Sequence, residues 1–158
     1  MSVLYRSFLG MLFVLTVSSF ASPSGGFSRF YTIEDERYKI AVTEKKLLEC
    51  PRWDPENDAN PPVGAAEALK KAKQWAEGYD LPKNKHFQFD SLNLFKASHA
   101  WDFEHKFPKS ARDLWIWRVE YRVHNYGALG DTVDKIECWI LMDGTVVEPK
   151  LQRKLKEE

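Results

Sequence analysis

The alternation of apolar and polar residues changes period along this chain, and each change marks an element. Residues 114–123 (LWIWRVEYRV) alternate with a period of two. Trp115, Trp117, Val119, Tyr121 and Val123 fall on one side, and Arg118, Glu120 and Arg122 on the other. Residues 135–142 (KIECWILM) repeat the pattern, with Ile136, Cys138, Ile140 and Met142 on the apolar side and Lys135, Glu137 and Trp139 opposite. The second run ends in Asp143-Gly144, followed by Thr145, Val146 and Val147. That predicts antiparallel strands closed by a tight turn, because Asp and Gly accept the positive φ such turns need. In residues 86–97 (HFQFDSLNLFKA), Phe87 and Phe89 share one phase while Leu92 and Leu94 take the other, which predicts a strand with a bulge near Asp90 and Ser91.

A spacing of three and four takes over between residues 65 and 79. Ala65, Ala68, Leu69, Ala72, Trp75, Ala76 and Tyr79 form one stripe, and Lys70, Lys71, Lys73, Gln74 and Glu77 lie on the other face. Pro61-Pro62 sit where a helix start tolerates them, and Gly78 is a natural stop. Residues 51–62 (PRWDPENDANPP) read as a loop, since Pro, Asn and Asp punctuate it throughout. Tyr38, Ile40 and Val42 alternate as in a strand, whereas residues 43–49 suit a short helix equally well. Residues 22–37 open on SPSGGFSR and read as a flexible leader, and residues 150–158 as a charged tail that frays. The single domain is expected over residues 38–149. Its order of elements predicts an α+β fold: one amphipathic helix packed on a three- to four-stranded antiparallel meander, in two layers.

The first twenty-one residues carry a different signal. Arg6 precedes the apolar run of residues 8–17, and Ser19 and Ala21 supply the small side chains of a cleavage site. The run falls short of the ~20 residues that span a bilayer, so a signal peptide over residues 1–21 is expected, with an uncleaved anchor as the alternative. Export to the periplasm or beyond follows, with no membrane attachment after cleavage. The 23 basic and 23 acidic residues cancel, which argues against a nucleic-acid partner. Cys50 and Cys138 both survive cleavage, and an oxidising compartment permits one disulfide between them. Closing so long a loop would contribute up to about 4–5 kcal/mol. Two separate buried thiols are the other possibility.

Candidate chemistry is sparse. His99, Asp102, Glu104 and His105 (HAWDFEH) are the densest group of metal-ligating types. A metal needs three or four of them to converge, and on a strand the two carboxylates would point away from His99 and His105, so no metal site is expected there. Asp54, Glu56, Asp58 and Asn60 space oxygens as calcium loops do, but Ala59 and Ala65 occupy the positions where such a loop needs Gly and a closing Glu. There is no G-x-S-x-G, no H-E-x-x-H and no glycine-rich phosphate loop, so no cofactor is expected. Of the six tryptophans, Trp75, Trp115 and Trp117 belong to apolar faces. Trp53, Trp101 and Trp139 do not, which makes them the candidate binding residues. Trp139 lies on the polar side of its strand, either as an exposed anchor or beneath a second layer or the N-terminal segment.

The helix AAEALKKAKQWAEG, the strand W-x-W-x-V-x-Y and the ending L-M-D-G-T-V-V-x-P resemble a PepSY-type domain over roughly residues 61–149, and small secreted bacterial proteins with the same ending. The resemblance implies a PepSY/cystatin-like arrangement and a non-catalytic module with a protein or peptide partner. In some relatives it implies a propeptide-like inhibitor of secreted peptidases. It carries over no catalytic residue. Strand addition at an exposed edge, anchored by Trp139 or the Trp53 loop, is the expected recognition mode. The alternatives are a small enzyme with a Trp- and His-lined pocket and a carbohydrate- or envelope-binding module using two coplanar exposed Trp rings.

Overall fold

The computed structural model describes residues 26–33, 36–81, 85–97, 113–125 and 134–154. Their elements run in the order β1 (Gly26–Ile33), β2 (Glu36–Thr43), α1 (Glu44–Leu48), α2 (Ala65–Gly78), β3 (Lys85–Lys96), β4 (Trp115–Asn125), β5 (Asp134–Leu141), β6 (Val146–Val147) and β7 (Lys150–Lys154). The fold is α+β, with two antiparallel sheets. One is the meander β3-β4-β5-β6, and the other has the order β1-β2-β7. The expected meander and helix are both present. The second sheet is not part of the two-layer expectation.

Local chemistry accounts for the element boundaries. In residues 38–49 both expectations hold in succession: β2 runs to Thr43, whose hydroxyl accepts the Lys46 N–H and caps α1. Helix α2 starts three residues after Pro62, and Ala68 and Ala72 are fully buried, so the small stripe lets the helix axis approach the meander closely. The phase slip in β3 is a bulge between Phe89 and Ser91. Phe89 pairs with Tyr121 and Ser91 with Glu120, leaving Asp90 as the extra residue. The bulge aims Asp90 at Arg122 Nε (2.7 Å) and Lys135 Nζ (3.1 Å). After β5, Gly144 adopts φ 81° while Asp143 accepts the Thr145 N–H, which closes the turn into β6.

Cross-strand register assigns the two faces of the meander. Phe87, Val123, Tyr121, Val119, Cys138, Ile136 and Ile140 face α2, where Trp75 packs on Phe87 and Tyr121 at centroid distances of 5.5 and 5.8 Å. Trp117 anchors the chain leading into α2 by donating to the Val63 carbonyl at 2.7 Å. On the opposite face, Glu137, Trp139 and Leu141 of β5 are covered, and β1 reaches them through Arg29. Strand β5 is therefore buried on both sides.

Two expectations change here, and one open alternative is decided. Residues 26–33, expected within a flexible leader, form β1, and residues 150–154, expected to fray, form β7. Both pair with β2. The physical reason is that Phe27, Arg29, Tyr31 and Ile33 alternate with Ser28, Phe30 and Thr32, so a period-two pattern lies under the Gly- and Ser-rich composition. The polar side of β5, open between an exposed anchor and cover by a second layer or the N-terminal segment, is interior, since the second sheet lies over it. The signal-peptide residues 1–21 lie outside the described residues.

Candidate functional site

A concavity of about 750 Å³ lies between α2 and the outer part of the meander. One wall is the α2 ridge that carries Leu69, Lys73, Ala76 and Glu77, successive helical turns on one side. The other wall is Phe87 and Phe89 of β3, with Tyr121 of β4 behind them and Tyr79 and Leu81 at one end. An aromatic cluster forms the floor. Trp75 meets Tyr79 at 5.1 Å, Phe87 meets Tyr121 at 5.4 Å, and Phe89 stands edge-on to Tyr121 at 6.2 Å. Such tilted and edge-on pairs are the favoured geometry for aromatic quadrupoles.

Two of the large apolar lining side chains remain in water. Phe89 is 47% exposed and Leu69 38% exposed, on facing walls. The rim is charged, with Lys73 and Glu77, whereas the Lys85 side chain is buried beside Asp134 at 4.0 Å. Burial pushes the hydroxyls of Tyr79 and Tyr121 up to about 12, so both stay protonated donors at neutral pH. Tyr79 donates to the Pro149 carbonyl at 3.3 Å, which ties the end of the cleft to the chain entering β7. Among the described residues β3 is the outer strand of its sheet, so the cleft runs beside a strand edge. The arrangement is suited to holding apolar side chains while an adjacent backbone pairs with β3.

The candidate tryptophans lie elsewhere. Trp139 is 1% exposed and its Nε1 donates to Glu137 Oε1 at 2.7 Å. The expectation of an exposed anchor is thus corrected: β1, from the N-terminal segment, packs over this face. Glu137 is itself buried, with Arg29 at 3.4 Å and Arg118 at 3.8 Å supplying positive charge. Burial and the Glu137 carboxylate together hold the Tyr31 hydroxyl far above its usual range. Trp53 is half-buried, donating to the Asp58 carbonyl at 2.8 Å and packing edge-on against Trp115 at 5.2 Å and 65°. With Arg52, Asp54, Pro55, Lys96 and Asp113, the two rings line a smaller pocket of about 340 Å³. Trp101, His99, His105, Asp102 and Glu104 lie outside the described residues.

The acidic loop is closed on itself. Asp54 accepts the Glu56 N–H and the Asn57 amide, and Asp58 accepts the Asn60 N–H, so these carboxylates serve as turn acceptors. Cys50 and Cys138 are both free and buried, which corrects the disulfide possibility in favour of separate thiols. Cys50 Sγ donates to the Lys46 carbonyl, whereas Cys138 faces α2 from the middle of the meander. Burial raises both thiols above their ordinary range, so neither is an activated nucleophile.

No family model, no curated protein and no solved structure matches the chain. The cleft therefore stands on its own residues. Sequence reasoning placed Leu69 on the apolar stripe of the helix and Phe87 and Phe89 on one face of their strand, without marking a cleft. The available signal was Leu69, a large side chain in a stripe otherwise built mainly of alanine, on a helix that approaches the sheet too closely to bury it.

Proposed function

We propose that this chain is an exported, non-catalytic binding module that takes an extended peptide segment of a protein partner into the cleft between α2 and β3. The single observation that carries the reading is the aromatic cleft beside an outer strand, with Leu69 and Phe89 left exposed on opposing walls. A strand added to β3 would satisfy its own backbone groups on the β3 edge and send every second side chain into the cleft. Tyr, Phe and Leu walls favour apolar or aromatic side chains there, while Lys73 and Glu77 select polar flanks. Helix α2 on a four-stranded meander is also the arrangement that the PepSY-type resemblance implies. Within that resemblance, a segment of a secreted peptidase is the most specific partner. Residues 1–21, with their charged start, apolar run and small-residue site, support export to the periplasm or beyond.

The sugar-platform alternative draws no support from Trp53 and Trp115, because their 65° inclination offers no flat surface made by both rings. The test is a displayed library of extended peptides, selected on the wild-type protein and counter-selected on Phe89→Ala. Recovered peptides with apolar residues at alternate positions, which bind Phe89→Ala and Leu69→Ala at least about tenfold more weakly, support the reading. Peptides that bind wild type and both variants equally overturn it.

A further inference from the structure

The outer face of the second sheet gathers like charge at a cost to its own stability. Strand β2 is the central strand of the order β1-β2-β7, and Tyr38, Ile40 and Val42 turn its buried side to the interior. Arg37 and Lys39 alternate with them and stand on the opposite face. Register extends the pattern across the sheet. Lys39 pairs with Lys150 of β7 and Arg37 with Arg153, while on the other flank Phe30 and Thr32 of β1 pair with Lys39 and Arg37. Directly opposed like charges destabilise a sheet. Lysine on an outer strand guards against edge pairing, which accounts for Lys150. It does not account for Arg37 and Lys39, which lie on the central strand. The acid of β2, Glu36, is on the buried side, where it accepts the Tyr38 hydroxyl.

An apolar ring lies among these cations. Phe30 is 47% exposed, with the Arg37 guanidinium 4.2 Å from its centroid and the Lys39 ammonium 5.7 Å from it. We propose that this face adsorbs the protein to an anionic phospholipid surface, with Arg37, Lys39 and Lys150 on lipid phosphates and Phe30 in the headgroup layer. An aromatic ring enters the boundary region of a bilayer readily, while Lys and Arg keep their charged ends at the phosphates. The charge balance of the whole chain favours a planar partner over a flexible polyanion. With 23 basic and 23 acidic residues, cations gathered on one face leave an excess of acid elsewhere. A nucleic-acid strand that follows the surface runs onto that acid. A bilayer meets one face, and charges farther from it than the screening length of about 8 Å contribute little. The contact is reversible adsorption and not anchoring in hydrocarbon: no described helix is long and apolar enough to cross a membrane.

The test is amine acylation of the full chain, read lysine by lysine by mass spectrometry, on phosphatidylglycerol vesicles and on phosphatidylcholine vesicles. Residues 1–21 are present in both samples, so only the headgroup charge differs. Lys39 and Lys150 are expected to label more slowly on the anionic vesicles, and high salt is expected to restore their labelling. Lys73, on the exposed side of α2, is expected to label equally on both. Arg37→Glu is expected to weaken the anionic-vesicle affinity at least about fivefold, the factor that one cation contributes at such a surface. Equal labelling of Lys39 and Lys150 on the two kinds of vesicle overturns the proposal, with no variant required. Protection that folded Arg37→Glu leaves intact overturns it too. Stronger protection by an oligonucleotide at matched phosphate concentration would assign the face to nucleic acid. Protection that grows with protein concentration in the absence of lipid would assign it to a second copy, and either result overturns the lipid surface.

Discussion

Replacing Trp139 with alanine separates a packing residue from a docking anchor. The side chain is 1% exposed, between β5 and the sheet that contains β1, and its indole donates to Glu137 at 2.7 Å. Truncating a buried Trp to Ala costs about 3–5 kcal/mol through lost transfer energy and the cavity left behind. Removing a donor from a buried carboxylate adds about 1–3 kcal/mol. A total of roughly 4–8 kcal/mol is comparable to the 5–15 kcal/mol that holds a typical domain together. Trp139→Phe keeps a six-membered ring but loses the donor and part of the indole's volume, so about 1–3 kcal/mol is expected, or a few degrees in Tm for a chain of this size. Urea denaturation followed by far-UV circular dichroism measures both. The reasoning is refuted if Trp139→Ala stays within about 1 kcal/mol of wild type.

Other outcomes follow from the same geometry. Phe89→Ala, on a side chain that is 47% exposed, is expected to change stability by less than about 1 kcal/mol, and a larger loss in thermal unfolding would make Phe89 a core residue. Partial burial pushes the Asp143 carboxyl upward, but hydrogen bonds from Lys46 and Thr145 outweigh it and hold the group at about 2. Its folded value lies below its unfolded one, so the stabilisation is complete above about pH 4 and is lost as pH falls towards 2. Acid titrations of wild type and Asp143→Asn should therefore differ in that window and run parallel above it. Gly144→Ala meets a φ of 81° and places a Cβ 3.2 Å from Lys71 Cε, and is expected to cost about 1–2 kcal/mol in chemical denaturation, mainly from the left-handed backbone. A thiol assay should find Cys50 and Cys138 unreactive in the native protein and both reactive after unfolding, with reductant leaving the Tm unchanged.

Much of the meander was legible because its elements are locally consistent. The Asp90 bulge showed as a phase slip, α2 as an alanine stripe, and the β5–β6 turn as Asp143-Gly144. What was not legible depends on partners distant in sequence. Whether the side of Glu137 and Trp139 is exposed or covered stayed open, because nothing in residues 135–142 states that β1, more than a hundred residues upstream, will cover it. A signal was present nonetheless. The run Cys138, Trp139, Ile140, Leu141 and Met142 is continuously apolar, and that is how a strand buried on both faces reads. Strand β1 was hidden by Gly and Ser, and β7 by the charge of KLQRK. The cleft was hidden for another reason. Whether Leu69 and Phe89 are buried or exposed depends on how far the edge of the meander extends past α2, which periodicity does not encode.

The most direct test of the account is hydrogen exchange of the protein with and without a peptide selected on the cleft. The account requires new protection at the amides of β3 that point away from β4, with chemical-shift changes at Leu69, Phe89 and Tyr121. Protection confined to the Trp53–Trp115 pocket, or binding that leaves β3 unchanged, would contradict it.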